Sequence, residues 1–110
     1  YMSRLDLHIH TAASDGTLSP QRLIEEVTEN SIDVFAVCDH DSIASLAETS
    51  VLSLAKKLNF IPAVEISAQH MNRIFHILCY GCDFSDKNIT DILSYNQSVW
   101  DEIDVKRIDG

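Results

Sequence analysis

Basic residues are scarce in this chain. Lysine and arginine number 8 against 17 aspartates and glutamates, a formal net charge of −9 with the histidines neutral. That balance excludes a nucleic-acid binder working through a broad basic surface. An acidic chain can still take up phosphates where metal ions supply the positive charge. No stretch reaches the roughly 18 apolar residues of a membrane span, and no signal-peptide pattern is visible. A cytoplasmic protein with no membrane partner is therefore expected. Cysteine is sparse and odd in number: Cys38, Cys79 and Cys82. No second Cys-x-x-Cys completes a zinc-ribbon spacing. Cys79-x-x-Cys82 reads either as a redox pair or as two reduced thiols. The thiol reading is favoured, because Cys79 falls in a strand expected to be buried, where free Cys behaves as a small hydrophobe. Glycines are three and prolines two, and no linker, repeat or low-complexity segment interrupts the chain.

What is present fits one small domain. The length is 110 residues and the hydrophobic content 45%, so disorder is not expected. Tyr1 ahead of Met2 reads as a residue left from a tag. Leu5 to Ile9 is a short apolar run that reads as a strand, followed by a polar loop over 11–18. Ser19-Pro20 then starts a helix, with Ser19 as N-cap and Pro20 at the first helical position. Leu18 and Leu23 are spaced as a hydrophobic staple, and Leu23, Ile24 and Val27 form the apolar stripe. Val34 to Cys38 is a continuous apolar run, as in a strand buried on both faces. A second helix is expected from Asp41 or Ser42, burying Ile43, Leu46, Ala47, Val51, Leu54, Ala55 and Leu58. Phe60 to Ser67 reads as a strand, Gln69 to Asn72 as a turn, and Ile74 to Tyr80 as a strand. A last helix is expected from about Asn88 to Val105, with Ile89, Ile92, Leu93, Trp100 and Ile103 along its apolar stripe. Alternating strands and helices predict an α/β fold with mainly parallel strands.

The chemistry-bearing residues recur at the ends of these strands. His8 and His10 are two apart in a strand and so point to one side. Asp15 sits in a Ser-Asp-Gly turn just beyond them. Two imidazoles and a carboxylate that converge make a divalent-metal site. His40, Glu65 and His76 lie in or just after later strands. Burying so many ionisable groups together is costly unless metal ions compensate. His70 lies in a turn and reads as simply exposed.

These residues carry a resemblance. Asp-Leu-His-x-His-Thr-x-x-Ser-Asp-Gly from Asp6, Cys-Asp-His-Asp from Cys38, Val-Glu-Ile-Ser from Val64 and His-Ile-Leu-x-Tyr-Gly from His76 resemble the polymerase and histidinol phosphatase (PHP) family. The likeness is greatest to its stand-alone bacterial phosphoesterases and covers about residues 4 to 82. The resemblance implies the N-terminal portion of a distorted (β/α)7, TIM-like barrel, with residues 83 to 110 as a helical continuation. It implies two or three divalent ions, zinc, manganese, iron or magnesium. His8, His10, Asp15, His40, Glu65 and His76 match the family's ligand positions, and Glu65 matches its bridging carboxylate. Asp6, Asp39 and Asp41 match no ligand and read as hydrogen-bonding or helix-capping residues. Ser14 and Gly16 read as shaping the loop. Cys38 replaces a usual Thr, Cys79 a frequent Gly, and Ala63 stands where Gly is common; none of these removes a ligand.

The implied reaction is metal-dependent hydrolysis of a phosphate ester by a metal-bridged hydroxide. The implied substrate is a nucleotide or the 5′ end of a short oligonucleotide. Family members run well beyond this length, in keeping with barrels of about 250 residues, and their later His or Cys ligand and Asp-x-His pair have no counterpart after Gly81. The chain is therefore expected to be the N-terminal part of a larger enzyme, with sheet edges open to self-association. Two other classes compete: a catalytically inert metal-binding or structural module, and a metal-dependent amidohydrolase. The second needs a carboxylated Lys or equivalent bridge, and Glu65 with the Ser-Asp-Gly loop argues against it.

Overall fold

The computed structural model describes residues 4–109, with side chains to residue 103; Tyr1 and Met2 lie outside the described residues. Strand β1 (Leu5–Ile9) leads to helix α1 (Pro20–Glu29), then β2 (Val34–Val37), α2 (Leu46–Ala55), β3 (Asn59–His70), β4 (Arg73–Tyr80) and α3 (Lys87–Asp109). The four strands form one sheet in the order β1-β2-β3-β4. β1 and β2 are parallel, β2 and β3 are parallel, and β3 and β4 form an antiparallel hairpin. The expected α/β order and mainly parallel sheet are found. Among the described residues, no helix is long and apolar enough to cross a membrane.

β2 is the centre of the core because its side chains alternate between two packed faces. Phe35 and Val37 join Leu23, Ile24 and Val27 of α1 and Leu46 of α2 in one buried cluster. Ala36 and Cys38 point the other way, against Ala63 of β3. Burying a Phe or Val side chain contributes about 1.5–3 kcal/mol each. α1 begins as expected: Pro20 is in its first turn, and Ser19 Oγ accepts the Arg22 N–H at 3.3 Å. Leu18 packs against the same cluster, completing the staple.

Several expectations are corrected. α2 begins at Leu46, not at Asp41 or Ser42, and buries Leu46, Thr49 and Ser53 instead of Val51 and Leu54, which are 68% and 82% exposed. Ala47 and Ala55 are also exposed. The cause is tertiary. Asp41 sits at φ 49°, outside the helical region, held there by hydrogen bonds to β3 and α3. Ser45, the N-cap, spends its hydroxyl on Asp39 rather than on the helix. Thr49 is buried at little cost because its hydroxyl bonds back to the Ser45 carbonyl at 2.8 Å.

Gln69 and His70 belong to β3, paired with Ile74 and Arg73. The turn shrinks to Met71 and Asn72, both at positive φ (50° and 63°), as a two-residue type I′ hairpin requires. β4 is an outer strand and mostly exposed rather than buried. Cys79 and Cys82 are joined as a disulfide, so the reduced-thiol reading fails for this pair; Cys38 is a free, buried thiol. Finally, α3 buries Leu93, but Ile92 and Trp100 of the expected stripe are 47% and 39% exposed.

Candidate metal centre

The site forms where β1 and β2 end beside the middle of β3, so Glu65 lies within its strand rather than at its end. Hydrogen bonds from Glu65 N–H to the Asp39 carbonyl (3.0 Å) and from Asp41 N–H to the Glu65 carbonyl (2.9 Å) set His40 beside Glu65. On β1, His8 and His10 share a side as their spacing requires, with ring centroids 5.0 Å apart. The loop after β1 closes on itself: the Ser14 and Gly16 N–H groups both donate to the Thr11 carbonyl, at 3.1 and 2.9 Å. A side chain at position 16 would collide with the His10 carbonyl, so Gly16 lets the loop fold close enough to bring Asp15 back over His10.

The side chains then meet. Glu65, 6% exposed, places Oε1 3.0 Å from His8 Nε2, and Oε2 2.7 Å from His40 Nδ1 and 3.7 Å from His10 Nε2. Asp15 places Oδ1 2.5 Å from His10 Nδ1 and Oδ2 3.2 Å from His40 Nε2. His76 of β4 closes the far side, its ring 5.4 Å from that of His40. Three sets of donor atoms lie close enough to hold an ion: His8–His10–Glu65, His10–Asp15–His40 and His40–Glu65–His76.

The donors fit divalent cations on chemical grounds. In His10 and in His40, both ring nitrogens face carboxylate oxygens, yet a neutral imidazole carries one N–H. Charging both rings would set two imidazolium ions 4.5 Å apart. Cations among these nitrogens and oxygens satisfy every atom, and imidazole with carboxylate suits zinc, manganese and iron alike.

Asp6, Asp39 and Asp41 belong to none of the three sets. Asp6 faces the His8 N–H at 3.4 Å. Asp39, fully buried, accepts four hydrogen bonds: from Thr11 N–H and Oγ1–H (both 2.6 Å), Ser14 Oγ–H (2.7 Å) and Ser45 Oγ–H (2.8 Å). It ties the loop that carries Asp15 to β2 and to the start of α2. Asp41 accepts from Ser67 N–H (2.9 Å), Asn96 Nδ2 (2.8 Å) and Trp100 Nε1 (3.0 Å), which anchors α3 beside the site. Thr11 stands in the first motif but had no role there, and Ser45, Asn96 and Gln97 carried no signal in the sequence; the roles of these four depend on partners 28, 6, 55 and 56 residues away.

Two carboxyls at the site are shifted. Desolvation pushes Asp15 up, but its hydrogen bond with His10 and the electrostatics of the neighbouring His10 and His40 rings outweigh this and hold it below the ordinary value. Burial pushes Asp41 up, but the Ser67 backbone, Asn96 and Trp100 hydrogen bonds outweigh it and lower it likewise. A carboxyl lowered in the folded state stabilises fully above its unfolded pKa of about 3.9, and that stability is lost as pH falls through the lower folded value. Acid titration below about pH 4 should therefore release α3, read as a red shift in emission from Trp100, the single tryptophan. Asp41→Asn puts an amide against three donors, so its emission should be red-shifted already at pH 7 and flat on acidification. Wild-type emission from that variant at pH 7 would show that the Asp41 carboxylate does not hold α3.

A cavity of about 800 Å³ opens beside these side chains, lined by Ser14, Asp15, His40, Asp41 and His76 and by Gln97, Trp100 and Asp101 of α3.

Known proteins match this chain closely in part. The 5′-3′ exoribonuclease of Haemophilus influenzae is 33% identical over 96 residues, covering 87% of this chain and 35% of the relative. The 3′,5′-nucleoside bisphosphate phosphatase of Chromobacterium violaceum is 32% identical over 82 residues, 74% of this chain and 29% of the relative. A crystal structure from Bifidobacterium adolescentis, assigned as a metal-dependent phosphoesterase, superposes with a TM-score of 0.82 at 28% identity, over 89% of this chain and 34% of that one. The chain thus spans about a third of the length of the curated relatives it matches. Its curled, mostly parallel sheet corresponds to half of a TIM-like barrel. The PHP domain model matches residues 6–106. With the motifs in order along the strands and the match running through α3, this chain belongs to the PHP domain family.

Proposed function

We propose that this chain carries the metal-binding part of a phosphoesterase acting on nucleotide-type phosphate esters. His8, His10, Asp15, His40, Glu65 and His76 hold the ions in this reading, and the protein works in the cytoplasm. The observation that carries it is Glu65. One nearly buried carboxylate turns its two oxygens to different imidazoles, Oε1 to His8 and Oε2 to His40 and His10, as a carboxylate shared between two ions would. Divalent ions there supply a water of lowered pKa and positive charge for phosphate oxygens. The protein's share is positional. Glu65 is fixed by main-chain bonds on both sides, and Asp15 is fixed by the folded loop. The nucleotide preference is supported by relatives named for ribonucleic acid and nucleoside bisphosphate substrates.

A catalytically inert metal-binding module is the second reading, favoured by the chain's coverage of about a third of its relatives. The two separate in one assay. The chain is loaded with manganese and given bis-p-nitrophenyl phosphate and AMP, while metal uptake is followed by calorimetry. Turnover that stops on adding a chelator and returns with manganese supports the phosphoesterase. Stoichiometric metal uptake with no turnover on either substrate leaves the inert module.

A further inference from the structure

We infer that Trp100 is the platform on which the base of a nucleoside monophosphate stacks while its phosphate lies at the metal ligands. The inference rests on the phosphoesterase reading above. The cavity beside the ligands is large enough for a nucleotide: about 800 Å³, where small-molecule sites run from about 300 to 1,000 Å³. Among the described residues, no lysine or arginine lines it. Within that lining a phosphate has one attractive end, the ligand cluster, and the Asp101 carboxylate of α3 discourages the reverse orientation. What the α3 wall offers is an indole.

That indole is held rather than loose. Its N–H donates to Asp41 at 3.0 Å, and Asp41 is itself fixed by Ser67 and Asn96. One turn earlier in the contact, Gln97 Nε2 donates to the Asp41 carbonyl at 2.7 Å. With its edge pinned, Trp100 still leaves 39% of its surface open. An aromatic ring fixed by its polar edge and open elsewhere costs little further order when a flat, uncharged group covers it. Base stacking of this kind is tolerant of base identity, because every base has a π-face. The site would then select for a base next to the scissile phosphate, without strong choice among bases.

Trp100 is the single tryptophan, so its emission reports the contact directly. The zinc-loaded chain is mixed with AMP or with ribose 5-phosphate in a stopped-flow instrument, so that binding is read before hydrolysis. AMP should quench the emission saturably; ribose 5-phosphate should not quench, but should compete. Calorimetry then compares two variants. Trp100→Phe keeps a flat ring and loses the N–H to Asp41; it should retain AMP binding within about threefold. Trp100→Leu loses the ring and should bind AMP about tenfold more weakly, near the level of ribose 5-phosphate. Ribose 5-phosphate affinity should be the same in all three proteins. Equal losses of AMP affinity in the Phe and Leu variants would overturn the inference and leave Trp100 as an anchor for α3 alone. AMP and ribose 5-phosphate binding equally well to the wild type, without quenching, would overturn it while the phosphate-binding reading stands. Failure of both ligands to bind the zinc-loaded chain would overturn both.

Discussion

Asp39→Ala should lower the stability of the chain by about 3–5 kcal/mol, read as a fall in the urea midpoint followed by circular dichroism. The size follows from what the carboxylate holds. Oδ1 takes the Thr11 N–H and the Ser14 hydroxyl; Oδ2 takes the Thr11 and Ser45 hydroxyls. Asp39, Thr11 and Ser45 are all buried. Removing the carboxylate leaves a buried backbone donor and two buried hydroxyls without their acceptor, and each unsatisfied group costs about 1–3 kcal/mol. The hydroxyls can turn to other acceptors, but the Thr11 N–H cannot, which sets the lower bound. A small domain has only about 5–15 kcal/mol in hand, so this variant should be partly unfolded at 37 °C. Asp39→Asn keeps one acceptor oxygen and the volume, and should cost about 2 kcal/mol. A midpoint for Asp39→Ala within about 0.5 kcal/mol of wild type would show that the four short contacts are not a folding constraint.

That hub also shows where sequence reasoning succeeds and where it stops. Local patterns were legible. Ser19-Pro20 marked a helix start because capping and a missing N–H act within one turn. His8 and His10 shared a side because a strand has a period of two. The run from Val34 to Cys38 was legible as a strand buried on both faces because it is apolar throughout, and β2 takes up Val34 to Val37 of it. α2 was not legible, and for a physical reason. Its apolar periodicity through Ala47, Val51 and Leu54 is real, but the chain enters the helix from an Asp41 held at positive φ and a Ser45 bound to Asp39. Those restraints rotate the helix so that Thr49 and Ser53 face inward. Long-range hydrogen bonds leave no periodic trace, so the Asp41–Asn96–Trp100 anchor had no signature beyond a Trp on a helical stripe. The short hairpin was obscured by Met71, which is not a residue expected at positive φ. For the candidate site, the sequence brought six residues to strand ends. It took the fold to show that their donor atoms form three overlapping sets sharing His10, His40 and Glu65.

That sharing decides the second large effect. Glu65→Gln should reduce zinc affinity by at least about 100-fold, and any metal-dependent phosphoester hydrolysis should fall with it; competition with a chromogenic chelator reads the affinity. Groups that merely support a ligand cost 10–100-fold when changed, and Glu65 supplies a donor atom to two of the three sets. Glutamine has nearly the same shape, but its amide nitrogen brings hydrogens, not a lone pair, to whichever imidazole it faces. Asp15 offers the contrast. It belongs to one set and its side chain is 62% exposed, so Asp15→Asn should cost only about tenfold, with water able to replace the lost oxygen. The fold should survive Glu65→Gln, because the bonds that place this residue, to Asp39 and Asp41, are made by its main chain. Without metal the variant should even be slightly more stable than the wild type, since a neutral amide replaces a nearly buried carboxylate. A weaker metal site in a chain of equal or greater stability separates a ligand from a structural carboxylate. Equal losses for Glu65→Gln and Asp15→Asn would mean that the ions do not share Glu65.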